Sequence, residues 1–436
     1  MITSNRIISG LCSAAIALAV AAGPLATATV STAVFAQEQA PVKPKTTKVQ
    51  AMTKPTFDAL TAAQAAIEAK NYPEAKRVLD QINLSEKLNE YERATIQQTY
   101  AYLYAEQENY PSAIEAFRKS IQLSNPDEGL GLPFAQVLQT MYNLGQLYMV
   151  VEQYQQAVNQ LEQWRKMADP AAVNGNALAL IATAYFQLEN YDQTLVNIKQ
   201  AIASTQDPKE NWYQLQLAVY LERENYKDAA TLLELLVVKF SGTRTYWIQL
   251  AAIYNELGRD KDSFAIFDAA YKMGFLTDEK DLVRLARLYM FNENPYKGAV
   301  VMDKGFKAKS VERTSENLEV IANAFFNSRE YKKALPWLEE AAGKAKDGGL
   351  YMRLCQAQLQ LNMNKDAEQS CDKAIDKGGL KDPGAVSLTK CIAQIEQKKW
   401  QSATASCNAA LKSKDRAKDA QQWLKYIENR SAVALK

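Results

Sequence analysis

The chain has 436 residues, of which 51 are basic and 49 acidic, and it contains no histidine. At this length several domains or an extended array is expected rather than one compact core. Balanced charge argues against a nucleic-acid binder, which needs a basic face. The lack of histidine removes the commonest general base and the commonest neutral metal ligand. Ala, Leu, Gln, Glu and Lys dominate, with only 17 glycines and 13 prolines, so an all-α protein is expected.

Residues 1–36 read as a secretory signal peptide. Arg6 supplies the positive charge, "IISGLCSAAIALAVAAG" the apolar stretch, and Gly23-Pro24 the helix break. "VFA" at 34–36 offers small residues for cleavage before Gln37; cleavage after Ala28 is the alternative. An uncleaved anchor is the rival reading, although the stretch is short for a full span. Cys12 follows Leu11, where lipid attachment prefers a small residue. The mature protein is therefore expected to be exported, and in a Gram-negative-like cell periplasmic. Residues 37–55 carry prolines and lysines without apolar periodicity and read as a flexible linker.

From residue 56 to about 411 one pattern recurs. Tyr72 and Ala75 open it, followed by Tyr110 and Ala113, Tyr154 and Ala157, Tyr191 and Thr194, and Tyr226 and Ala229. Ser263, Gly298, Ala334, Ala367 and Ala403 fill the same small slot in looser copies. Upstream of each lies a helix with its own small residue, often followed by an aromatic. Leu144-Gly145-Tyr148, Leu250-Ala251-Tyr254 and Leu285-Ala286-Tyr289 are examples. The mean spacing is about 36 residues, a period typical of solenoids. The chain thus resembles the tetratricopeptide repeat family, whose units follow W-x2-L-G-x2-Y…A-x3-F.

The resemblance implies an all-α superhelical solenoid of about ten helix-turn-helix repeats, with residues 412–436 as a C-terminal capping helix. Gly145 and Ala157 would be small so that two antiparallel helices can approach. Leu217 stands where a small residue is expected, and "SNPDEGLGLP" lengthens the step between the second and third units. Gly129 and Gly131 in that insert faintly echo a phosphate loop. No strand precedes them and no Lys-Ser/Thr follows, so an exposed loop is the expectation.

Four cysteines share the period. Cys355 and Cys371 are 16 apart, Cys391 and Cys407 likewise, and one repeat separates the pairs. In the tetratricopeptide pattern the two slots face each other across a hairpin, which points to Cys355–Cys371 and Cys391–Cys407 disulfides in an exported protein. Cys371–Cys391 and reduced core thiols remain as alternatives.

The resemblance also implies that first helices line a concave, ligand-bearing groove. Its expected lining is Gln98, Tyr102, Gln139, Tyr142, Gln146, Met149, Phe186, Gln214, Arg284 and Arg287. Tyrosine, methionine and glutamine on one face suit an extended peptide; packing between helices is the alternative for each. The Lys/Asn set that clamps a C-terminal carboxylate in chaperone-binding relatives is not seen.

No nucleophile elbow, metal triad or catalytic carboxylate pair stands out, so a non-enzymatic protein without cofactor or small-molecule substrate is expected. "PKENWYQLQLAVYLERENYKDA", "YWIQLAAIYNELGR" and "NPYKGAVVMDKGF" resemble exported tetratricopeptide proteins of proteobacteria associated with TonB–ExbB–ExbD systems. That resemblance implies a periplasmic scaffold for outer-membrane transport, with TonB, ExbB, ExbD or outer-membrane receptors as partners. A cell-envelope assembly factor, binding outer-membrane precursors or cell-wall synthesis machinery, is the alternative.

Overall fold

The computed structural model describes residues 50–434, with side chains to residue 430. The signal reading of residues 1–36, and the linker up to residue 49, lie outside the described residues. Ten helical pairs follow one another. They are α1 (Lys54–Glu68) with α2 (Tyr72–Asn83), α3 (Glu90–Glu106) with α4 (Tyr110–Gln122), and α5 (Phe134–Val150) with α6 (Tyr154–Met167). Next come α7 (Gly175–Gln187) with α8 (Tyr191–Ala203), α9 (Glu210–Glu222) with α10 (Tyr226–Lys239), and α11 (Arg244–Glu256) with α12 (Asp260–Lys272). The last four are α13 (Glu279–Phe291) with α14 (Pro295–Lys307), α15 (Ser315–Asn327) with α16 (Tyr331–Lys344), α17 (Gly349–Gln360) with α18 (Asn364–Lys377), and α19 (Pro383–Glu396) with α20 (Trp400–Ala410). A further helix, α21 (Ala417–Ala434), follows. The chain divides into two compact units between Leu232 and Leu233, within α10, and each unit is described by itself.

The recurring Asn-Tyr dipeptide is explained by the turn inside each pair. In the fourth pair Glu189 takes the left-handed conformation at φ 57°, and the Asn190 N–H donates back to the Tyr185 carbonyl at 2.9 Å. This backward bond satisfies a carbonyl that the helix end would leave unpaired. The Asn190 side chain then accepts from the Gln193 N–H at 3.2 Å and caps α8. Asn71 and Asn109 cap α2 and α4 in the same way. Behind them Pro73 and Pro111 sit in the first turn, where a missing N–H costs nothing. Lys70, Glu108, Glu152, Glu224, Glu293, Arg329, Asn362 and Lys398 share the left-handed conformation of Glu189 in their own turns; only Gly258 does so as glycine.

Small residues set the distance between paired helices. Ala75, Ala113, Ala157, Ala334, Ala367 and Ala403 are fully buried. A β-carbon on Gly145 would stand 2.5 Å from Leu161 Cδ2, a flexible neighbour. One on Gly298 would meet the Ala286 carbonyl oxygen at 2.7 Å, which is backbone and has nowhere to go. Ser263 occupies the same slot and turns the closeness to use, donating to the Ala251 carbonyl at 2.7 Å. Leu217 is buried at 4% exposure, so α9 carries a large side chain inward where other first helices carry a small one.

Pairs are also tied to their neighbours. Three residues past the small slot, Tyr185, Tyr254 and Tyr289 each donate to a carboxylate on the second helix of the preceding pair: Glu162 at 3.2 Å, Glu234 at 2.7 Å, and Asp268. Burial first, and then the neighbouring Glu234, push the Tyr254 phenol up to about 12. The insert between α4 and α5 is exposed at Asn125, Asp127 and Glu128 but is anchored at its far end. Asn125 and Leu130 exchange backbone hydrogen bonds, the Leu132 N–H is held by Ser124 Oγ at 2.9 Å, and Leu132 is buried in a cluster with Met141 and Trp164. Residues 50–53 are held as well: Thr53 donates from its N–H and its hydroxyl to Glu92 at 2.8 and 2.6 Å.

In the last two pairs Cys355 meets Cys371 and Cys391 meets Cys407 at disulfide geometry, each with a Cα–Cα separation of 5.3 Å. All four cysteines are fully buried. Helix α21 closes the unit by placing Ile427, with Trp423 and Leu424, against Cys391, Ile395, Ala403 and Cys407.

Candidate functional site

In the first unit, the first helices of the second and third pairs bring several expected groove residues together. Gln98 Nε2 donates to Thr140 Oγ1 at 2.7 Å. Asn143 Nδ2 donates to Tyr102 Oη at 3.0 Å, and Gln139 Nε2 to Asn143 Oδ1 at 2.8 Å. Tyr102 lies edge-on to Phe117 at 5.4 Å, and Tyr142 tilts against Trp164 at 4.8 Å. Burial pushes both phenols up from 10.0. Gln98, Tyr102 and Tyr142 are therefore half-buried, packed between α3, α5 and their second helices, with only part of each facing outward. Gln139 and Gln146 are exposed.

Met149 does not belong to this surface. It is 5% exposed and sits in the core cluster that contains Tyr148, Ala157 and Ala184; it comes late in α5, where that helix meets the next pair. Phe186 is half-buried and tilted against Tyr191 at 5.8 Å, and Gln214 is exposed on α9. Thr140 and Asn143, which complete the hydrogen-bonded cluster, escaped sequence reasoning. Their signal is polarity on the otherwise apolar face of α5, at buried positions where a partner is obligatory.

The second unit holds Arg284 and Arg287, and with them a cleft of about 820 Å³ lying open along α13. Lys280, Arg284, Arg287 and Phe291 share one face of the helix at spacings of four, three and four. Val283 and Leu288 supply apolar lining, and Asn317 comes from α15. Phe291 is 79% exposed, a large apolar ring left in water beside cations. The Arg284 guanidinium stands over the Phe267 ring at 4.9 Å. Nearby arginines are paired, Arg244 with Asp281 at 2.6 Å and Arg313 with Glu340. Lys280, Arg284 and Arg287 make no ion pair among the described residues.

One acid lines the cleft, and it is already engaged. Glu279 accepts from the Glu312 N–H at 2.9 Å and from Asn317 Nδ2 at 3.0 Å. Those bonds hold its carboxyl below the ordinary value and tie the start of α13 to α15. Among the described residues no group of three or more Cys, Asp or Glu side chains could hold a metal ion. No described helix is long and apolar enough to cross a membrane.

The class defined by these features is an all-α array of tetratricopeptide-type hairpins. Residues 60–128, spanning most of the first two pairs and the turn that follows, match the tetratricopeptide repeat family model. No curated protein matches the chain. Among solved structures it is similar to YrrB, a tetratricopeptide protein with an unusual peptide-binding site, at 13% identity and a TM-score of 0.36, covering 45% of this chain and 100% of that one. It is similar to MamA from Desulfovibrio magneticus RS-1 at 18% identity and a TM-score of 0.35, covering 44% and 99%. Similarity to the Cut9–Hcn1 hetero-tetramer covers 87% of this chain and 84% of that one, at 13% identity and a TM-score of 0.31.

Proposed function

We propose that this protein is a non-enzymatic scaffold that binds polypeptide partners on its first-helix faces. It works in the periplasm as an accessory to TonB-dependent outer-membrane transport. The observation that carries the scaffold reading is the open cleft along α13, where exposed Phe291 lies beside cations that pair with no carboxylate among the described residues. An aromatic left in water with polar groups around it is the composition of a protein-binding hot spot. Fold alone does not name the partner; the TonB assignment is supported by the sequence phrases quoted above, and the location by the signal-like residues 1–36.

The test is affinity capture of the tagged chain from native envelopes, probed for TonB, ExbD and outer-membrane receptors, beside iron uptake in a deletion strain. Capture of TonB or ExbD with impaired uptake is expected. Normal uptake with defective envelope integrity would remove the transport role and favour envelope assembly.

A further inference from the structure

We propose that the first-helix face of the sixth to ninth pairs is a docking site for an acidic, extended polypeptide segment, distinct from the neutral amide surface of the second and third pairs. The inference rests on the scaffold reading and names the partner's chemistry.

Three observations within the second unit carry it. Lys280, Arg284 and Arg287 lie on one helix face without a carboxylate partner, and the one acid lining the cleft is taken up by Glu312 and Asn317. Unpaired like charges side by side repel one another, so an anionic ligand relieves a cost already present. Two repeats further on, Arg353 holds in α17 the helix position that Arg284 holds in α13, and it too stands over a ring, Phe326 at 5.5 Å, and makes no ion pair among the described residues. Helix α15 packs between α13 and α17, so positive charge recurs on alternate first helices; α15 itself carries no Lys or Arg, and Glu316 stands there at the Lys280 position.

The third observation separates a polypeptide from other polyanions. Gln249 Oε1 on α11 and Asn323 Oδ1 on α15 are buried acceptors with no donor, and such groups are costly when left unpaired. Gln249 holds the Arg284 position one repeat earlier, and Asn323 the Arg287 position one repeat later. A rotation of either side chain would turn its acceptor outward, where a peptide main chain supplies N–H donors. Acidic side chains would meet the arginines, and an apolar one would cover Phe291 and Val283. A lipid phosphate brings the charge without that row of donors.

The experiment is fluorescence anisotropy on the exported chain with three labelled peptides, in which leucine alternates with glutamate, glutamine or lysine. Phosphatidylglycerol vesicles and a single-stranded oligonucleotide serve as competitors. The Glu-Leu peptide should bind best, more weakly as salt rises. Arg284→Gln with Arg287→Gln should weaken it about tenfold without lowering the melting temperature. Arg284→Glu with Arg287→Glu should turn the preference to the Lys-Leu peptide, a gain that misfolding cannot imitate. Equal binding of the Glu-Leu and Gln-Leu peptides would overturn the acidic assignment and leave the scaffold reading standing. Arginine-dependent binding of vesicles or oligonucleotide with no peptide bound, or no binding at all, would overturn both.

Discussion

Glu189 in the turn between α7 and α8 shows how a residue can be wrong for its backbone and still be repeated. Left-handed φ costs an L-residue with a β-carbon roughly 1 kcal/mol, yet nine of the ten turns use such a residue. The Asn cap and the backward N–H bond hold the turn regardless. Glu189→Gly should therefore stabilise the protein by about 0.5–1 kcal/mol in urea unfolding, whereas Asn190→Ala should cost about 1 kcal/mol. A destabilising Glu189→Gly would mean that the Glu189 side chain has a role of its own.

Charge at single residues makes a second prediction. The Arg313 guanidinium, and behind it Lys344, hold the Glu340 carboxyl down at about 2 from its ordinary 4.5. Arg313 is itself stacked on Trp337 and Phe306 at 4.8 and 5.3 Å. A depressed carboxyl contributes stability that is complete above its unfolded value and is lost as pH falls toward its folded one. The stability difference between the natural protein and Glu340→Gln should hold at neutral pH and shrink from pH 4.5 down to about 2. A difference that does not change with pH would remove Glu340 from the acid response.

At the scale of the hairpin, distance between helices decides which small residues are obligatory. Gly298 faces a backbone carbonyl, whereas a β-carbon on Gly343 in α16 would meet nothing within 4 Å. Gly298→Ala should destabilise by about 1–3 kcal/mol through overpacking, even though alanine is the better helix former. Gly343→Ala should stabilise by up to about 1 kcal/mol. Thermal melts of the two variants should move in opposite directions; parallel shifts would show that close approach at Gly298 is not limiting.

Hairpins were legible in the sequence because each one repeats the same constraint. Ala75 through Ala403 mark helix pairs, and the cysteine spacing places Cys355 near Cys371 and Cys391 near Cys407. Orientation about the helix axis was harder to read. Met149 has the composition of a groove residue, but it follows Tyr148 in the last turn of α5, where that helix meets the next pair. Phe291 was missed for the converse reason: a phenylalanine four residues past Arg287 looks like core, and only the fold shows that its ring is left outside. Thr140 and Asn143 were invisible because their importance depends on Gln98 and Tyr102, about forty residues earlier.

Across the whole molecule, stability is a sum of hairpins and their nearest-neighbour contacts, so local opening should differ along the chain. Closing each cysteine loop contributes about 3 kcal/mol in the chain-entropy model. Native-state hydrogen exchange of the non-reduced protein should show α17–α20 opening later than α1 and α2, and replacing Cys355 and Cys371 by serine should remove much of that protection. Titratable thiols at Cys355, Cys371, Cys391 and Cys407 in the non-reduced protein would rule out both pairings.

The distribution of function over this array is the central matter, and site-specific photo-crosslinking in cells addresses it most directly. A photoreactive residue at Phe291 on α13 or at Gln146 on α5 should yield discrete protein adducts, whereas one at Ile375, exposed on the second helix α18, should not. Adducts from Ile375 with none from Phe291 or Gln146 would contradict a binding surface built on the first helices.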